Sequence, residues 1–185
     1  DERVKLFLSD DSKFGIARST GLGMAGFSDT LKKLKPDLVV VLGDRFEIFS
    51  AAATAFFLKI PIAHIHGGEL TEGSLDDGLR HAITKLSVLH FCSNHKYRKR
   101  VIQMGEDPKS VFDVGAIGID NIRSLRLLGK QALERELGPI FGQKTVLVTF
   151  YPATIKDDSA EFEFNQLLSA LNKLKEVKII FTKPG

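Results

Sequence analysis

Cysteine is almost missing from this 185-residue chain: the one thiol, Cys92, excludes an internal disulfide and any multi-cysteine metal knuckle. Charge of one sign is also scarce. Twenty-six basic residues face 23 acidic ones, for a net charge of +3, and the basic residues are scattered rather than gathered with aromatics into a stripe. A nucleic-acid partner is therefore not expected, and the sequence pI near 9.0 carries no information about partners. No apolar run reaches eighteen residues, and the opening DERVKLFLSDD is too polar for a signal peptide or a membrane span. Neither an internal repeat nor a low-complexity tract is present. The composition fits a reducing cytoplasm, with Cys92 a small buried residue in the strand-like VLHFCS.

What the chain does have is alternation. Hydrophobic residues make up 43% and charged residues 26%, ordinary values for a globular protein. Short apolar runs alternate with longer amphipathic segments, which predicts βαβ units and an α/β fold with a parallel sheet. LVVVLG (38–43) is a β-branched run that reads as a strand covered on both faces. FEIFSAAATAFFLK follows as a largely buried helix, IPIAHI as a strand, and SLDDGLRHAITKLS as a helix that Ser74 caps, with Asp77 placed for a near capping box. VLHFCS and SVFDVG are further strands, and HKYRKRVIQMG is a helix ended by Gly105. IDNIRSLRLL and GKQALERELG are helical, with joints at Gly129 and Gly138. KTVLVTF and VKIIFT are strands on either side of a helix beginning near Asp158 or Ser159. DDSKFGIARSTGLGMAGFSDTLKKL reads as a loop feeding a helix, with GLG near the turn. Both ends look cut, so an internal portion of a longer protein is expected.

The unusual residues concentrate where an open parallel sheet binds ligands, outside the carboxyl ends of its strands. LVVVLG ends in Gly43, Asp44 and Arg45 with Glu47 nearby; IPIAHI ends in His66, Gly67, Gly68 and Glu69. SVFDVG ends in Gly115, and KTVLVTF runs into Tyr151. The stretch from Ile60 to Lys85 alone holds three of the five histidines and four acidic residues. Such crowding costs solvation and repulsion unless a ligand or chemistry offsets it.

Plainer readings stand beside these. Asp44 can cap the following helix. Asp76, Asp77 and Arg80 can form an exposed helical salt bridge. His90 and His95 read as structural or surface residues. His64 and His66, two apart on a strand, are expected on the same face, where with Glu69 they form a candidate metal site. Gly67 and Gly68 allow the backbone a close approach to a metal-bound or sugar substrate.

LGDRFE, HIHGGELTEG, DDGLRHAITKLS and RVIQMGEDPKSVFDVGAIGIDNI, in that order and spacing, resemble the hydrolysing UDP-N-acetylglucosamine 2-epimerases, in the bacterial sialic-acid-type branch. The resemblance implies two Rossmann-like domains in a GT-B-like architecture. Residues 1–120 would be the carboxyl-end portion of the first, 121–143 a helical connection, and 144–185 the start of a UDP-binding second domain. It implies anti elimination of UDP from a UDP-sugar and hydration of the glycal, with neither a redox cofactor nor a metal, in a cytoplasmic homo-oligomer. Asp44, Glu69 and Asp76 or Asp77 match its catalytic carboxylates, and Arg80 and His81 its substrate-side pair. Gly43, Arg45, Glu47, Gly67, Gly68, Gly115 and Tyr151 fall in its substrate-binding segments. Two departures stand out. His66 occupies the place of a glutamate that the family often carries, and Tyr151 that of a histidine near the leaving group. The competing expectations are a metal-dependent hydrolase built on His64 and His66, and a non-catalytic UDP-sugar sensor.

Overall fold

The computed structural model describes residues 2–6, 12–151 and 160–182. The chain divides into two compact units, Asp1–Ile122 and Arg123–Gly185.

The first unit is a four-stranded, wholly parallel sheet in the order β1 (Val39–Leu42), β2 (Ile62–Ile65), β3 (Leu89–Cys92), β4 (Val111–Asp113). Three crossovers join these strands: α2 (Phe46–Phe57), α3 (Leu75–Leu86) and α4 (His95–Gln103). Each strand is added on the same side of the last, and parallel crossovers are right-handed, so all three helices cover one face of the sheet. On that face Val41, Ile62 and Ile83 pack with Ala52 and Ala55 of α2 and with Leu31. Cys92, Val101 and Val111 form a second cluster under α4. Cys92 is buried, as its sequence context suggests, and burial pushes its thiol up to about 11.

The same geometry corrects the expectation that β1 is covered on both faces. Val40 and Leu42, with Phe112 of β4, point to the face without a crossover helix and remain exposed. The expected burial of α2 also fails at its end, where Phe56 and Phe57 are exposed. No helix among the described residues is long and apolar enough to cross a membrane.

Helix α1 (Lys13–Leu34) corrects the N-terminal reading. It starts at Ser12, whose hydroxyl accepts from the Gly15 N–H at 3.1 Å, and runs straight through Gly21-Leu22-Gly23. The glycines serve packing rather than a turn. A Cβ on Gly23 would collide with Leu6 and sit 3.0 Å from Ser50 Cβ of α2, whereas one on Gly21 would meet nothing within 4 Å. The hydroxyls of Ser50 and Thr54 donate to the Thr20 and Met24 carbonyls, at 3.1 and 3.3 Å, and bind the two helices together.

At the centre of the sheet two histidines stand in register, His64 on β2 and His90 on β3, both without solvent exposure. Burial draws His64 down to about 4, with the Gly43 carbonyl opposing and His90, His66 and His81 adding to the shift. Burial lowers His90 as well, against the neighbouring Glu106 carboxylate.

After β4, α5 (Ile117–Ser124) stops short of the expected Leu128. In the second unit α6 (Lys130–Leu137) lies between Gly129 and Gly138. β5 (Lys144–Val148) pairs in parallel with β6 (Val177–Phe181), and α7 (Ala160–Leu171) connects them. Phe164 of α7 meets Phe150 and Phe181 at 5.3 and 6.2 Å between ring centres. The expected helix start at Asp158 or Ser159 lies outside the described residues, as do Pro152, Ala153 and Thr154.

The glycine pair makes a direct test of the α1 packing by urea denaturation. Gly21→Ala should raise stability by about 0.5–1 kcal/mol, whereas Gly23→Val should lower it by about 1–3 kcal/mol through overpacking. The buried imidazole makes a second. An unfolded histidine takes up its proton below about pH 6.5, but folded His64 does so only near pH 4, so the unfolded chain binds more protons in between. Stability should fall as pH drops through that window, by about 3 kcal/mol from His64. His64→Gln should flatten this decline, and a variant with the wild-type slope would refute the account.

Candidate active site

The carboxyl ends of β1 and β2 carry the polar residues that the sequence places there, and the structure ties them, with residues of α3 and the turn after β3, into two groups. The first is centred on Arg80, on the inner face of α3. Its side chain is only 8% exposed, and burial lowers its pKa. Nη2 donates to the Asp44 carboxylate and, at 3.1 Å, to the Thr71 hydroxyl. Nη1 lies 3.7 Å from Asp77. Asp44 is thus the counter-ion of a buried guanidinium and does not cap α2, whose N-cap position is Arg45 and has no side-chain cap bond. The Asp76–Asp77–Arg80 trio is likewise not an exposed salt bridge, because its cation is buried and reaches another strand.

The expected near capping box is replaced by a different arrangement. Ser74 caps α3 by accepting from the Asp76 N–H at 3.2 Å, but Asp77 accepts from Thr71 N–H at 2.8 Å. Asp77 also lies 3.9 Å from His81 Nε2. Among the described residues no hydrogen bond or ion pair engages the Asp76 carboxylate.

The second group follows β2. His66 has a φ of 67°, a left-handed conformation that a non-glycine residue adopts at a cost of order 1–3 kcal/mol and that clusters at functional sites. Its N–H donates to Phe91 O at 2.9 Å. Its Nδ1 lies 3.3 Å from Glu69 Oε1, and the Ser93 hydroxyl donates to the same oxygen at 2.5 Å. His66 Nε2, Arg80 Nη1 and His81 Nδ1 are buried and make no hydrogen bond with any described residue.

This turn overturns the same-face reading of the two histidines. The strand ends at Ile65, so period-two alternation stops before His66. His64 bonds inward, to Gly43 O at 2.8 Å and Thr84 Oγ1 at 3.1 Å, while His66 pairs with Glu69. Among the described residues no three His, Cys, Asp or Glu side chains are placed to hold a metal ion. Gly67 and Gly68 do permit a close approach, but to the protein itself. A Cβ on Gly67 would lie 3.0 Å from Thr84 Oγ1, and one on Gly68, at φ 81°, would lie 2.6 Å from the Tyr97 carbonyl. The Arg100 guanidinium donates to the Gly68 carbonyl and stacks over Tyr97.

Three other expected site residues of the first unit, Arg45, Glu47 and Gly115, lie outside these two groups of bonded side chains. Arg45 is mostly exposed and pairs with Glu47 at 3.3 Å. Gly115 lies in the exposed turn before α5 at φ 83°. Tyr151 is exposed in the second unit. Sequence reasoning missed Thr71, Thr84, Ser93 and Arg100. Ser93 was within reach, since it ends a strand on the same edge; Thr84 follows Arg80 by one helical turn and shares its buried face.

The UDP-N-acetylglucosamine 2-epimerase family model matches residues 2–185. The GDP/UDP-N,N'-diacetylbacillosamine 2-epimerase (hydrolyzing) of Campylobacter jejuni is 39% identical over 182 residues, covering 98% of this chain and 47% of the relative. The polysialic acid biosynthesis protein P7 of Escherichia coli is 41% identical over 172 residues, covering 93% of this chain and 44% of the relative. The chain therefore spans about half the length of the curated relatives it matches. A crystal structure of UDP-GlcNAc 2-epimerase from Neisseria meningitidis bound to UDP-GlcNAc superposes with a TM-score of 0.75 at 19% identity, covering 96% of this chain and 57% of that one. Motif order, a parallel α/β fold with its acid–base groups on the carboxyl edge, and the match over 2–185 lead to one conclusion: this chain belongs to the UDP-N-acetylglucosamine 2-epimerase family.

Proposed function

We propose that the protein is a hydrolysing UDP-sugar 2-epimerase. It eliminates UDP from UDP-N-acetylglucosamine, or from its 2,4-diacetamido-6-deoxy analogue, and hydrates the glycal to release the C2-inverted free sugar. The observation that carries this reading is the pairing of two differently prepared acid–base groups at the ends of adjacent strands. Asp44 is paired with the buried Arg80 guanidinium, and His66 is oriented by Glu69.

The chemistry needs such a division. The proton on sugar C2 is weakly acidic, and a carboxylate removes it only as C1–O cleavage builds positive character on the ring. Later an acid must return a proton to C2, and a base must take one from the attacking water. A histidine whose Nδ1–H is committed to a carboxylate presents Nε2 as the proton-transfer atom. In that arrangement His66 takes the place of the usual glutamate, and Glu69, fastened by Ser93, orients it. Asp77 is occupied by Thr71 and the Arg80–His81 side, which leaves Asp76 as the α3 carboxylate available for proton transfer. Arg80 Nη1 is a donor offered to the substrate, and His81 Nδ1 a second polar atom without a hydrogen bond to any described residue. Gly43, Gly67 and Gly68 shape the turns, and Arg45, Glu47 and Gly115 belong to the outer part of the first unit's substrate site. A cytoplasmic homo-oligomer, with residues 144–185 in a UDP-binding domain, completes the reading. The names of the Campylobacter jejuni and Escherichia coli relatives support a precursor sugar of the sialic or legionaminic acid type.

Release of UDP by the intact protein, measured with each UDP-sugar, tests the proposal. Asp44→Asn should lower turnover by about 10³-fold and His66→Leu by about 10²-fold, within the range of general acid–base contributions. Asp76→Asn should slow turnover more than Asp77→Asn does. No UDP from either sugar would refute an epimerase.

A further inference from the structure

We infer that His64 is a positioning residue, an imidazole strut that sets the Asp44 turn against the helix carrying Arg80. This inference rests on the epimerase reading for its kinetic consequence, but its structural content is independent of it.

The turn after β1 depends on β2 for both of its polar groups. Gly43, at φ 87°, donates its N–H to Ile65 O at 3.2 Å, and its carbonyl faces His64 Nε2 at 2.8 Å. A carbonyl only accepts, so Nε2 carries the imidazole proton and Nδ1 is the acceptor. The Thr84 hydroxyl lies 3.1 Å from Nδ1 and 3.0 Å from the Arg80 carbonyl, and its single proton is shared between these two acceptors. One ring therefore contacts the residue before Asp44 on one side and the turn of α3 below Arg80 on the other. Both partners of the Asp44–Arg80 pair are referred to the same buried atom frame.

The surroundings fit that task. His64 is fully buried in the centre of the sheet. Gly67 passes close to it, and a Cβ there would lie 3.1 Å from His64 Nδ1. The backbone that presents His66 thus leaves little room beside the imidazole. The sheet supplies the geometry as well, because His64 stands in register with Val41, two residues before Gly43. Burial keeps the ring uncharged at neutral pH, so the strut keeps one donor and one acceptor through the working range.

Two replacements of similar size separate positioning from filling. Gln places an amide N–H at the reach of Nε2; Met fills the volume but offers no hydrogen bond. In the intact protein, His64→Met should lower kcat for UDP release by about 10²-fold, the scale of a misplaced reacting group, with KM within about threefold of wild type. His64→Gln should recover at least about tenfold of that loss. A Met variant with wild-type kcat, or a folded Gln variant as slow as the Met variant, would overturn the inference. If His64→Met does not fold, Thr84→Val decides: about tenfold lower kcat with unchanged KM is expected, and wild-type kcat refutes the strut. Crystal structures of the His64 or Thr84 variants provide a readout without catalysis. The Asp44 carboxylate should move off Arg80 in the Met or Val variant and remain on it in the Gln variant, and an unmoved carboxylate refutes the inference. Wild-type protein that releases no UDP would instead refute the epimerase reading and leave the structural arm to judge His64.

Discussion

A guanidinium brought out of water needs an anion and further acceptors in contact, because the desolvation penalty is several kcal/mol and attraction repays it only in good geometry. Arg80 is such a group, and the arrangement of the first unit's carboxyl edge follows from it. Asp44 must come across from β1, Thr71 must turn its hydroxyl inward, and Asp77 must face back along the helix. The three residues lie in different segments, so the ion pair fastens the β1 turn, the loop after β2 and the first turn of α3 to one another. The same contact that stabilises this edge keeps Asp44 from serving as a simple helix cap.

Beside that fixed pair sits a strained one. His66 holds a left-handed backbone conformation immediately after its strand, and its ring is tethered through Glu69 to Ser93 on the next strand. Strain of this kind persists where surrounding contacts over-determine it. Here Gly67 against Thr84 and Gly68 against Tyr97 supply those contacts, with Arg100 clamping the Gly68 carbonyl. The two glycines therefore serve the site by letting the turn pack tightly, so that His66 has one place to be.

Much of this was legible in the residues. Apolar runs at strand length located every strand of the first sheet, Ser74 marked the start of α3, and the rule that ligands gather at carboxyl edges pointed to residues that the structure groups there. Cys92 and His90 were read correctly as structural. The misreadings share one cause: each used a local rule where a distant contact decided. Asp44 looked like a cap because Arg80 lies 36 positions away. GLG looked like a turn because its partner Ser50 belongs to another helix. Val40 looked buried because one strand's composition does not reveal that all three crossovers cover the same face.

Local chemistry by itself determined that this chain builds a parallel α/β sheet and which residues reach its carboxyl rim, because strand periodicity and crossover handedness act within about thirty residues. Only the tertiary structure decided what each rim residue does. It bonded His64 to Gly43 and His66 to Glu69, matched Asp44 to Arg80, and separated Asp77, which is bound, from Asp76, whose carboxylate no described residue engages. Those assignments depend on burial and on contacts between strands, and neither is encoded in the spacing of residues along a single segment.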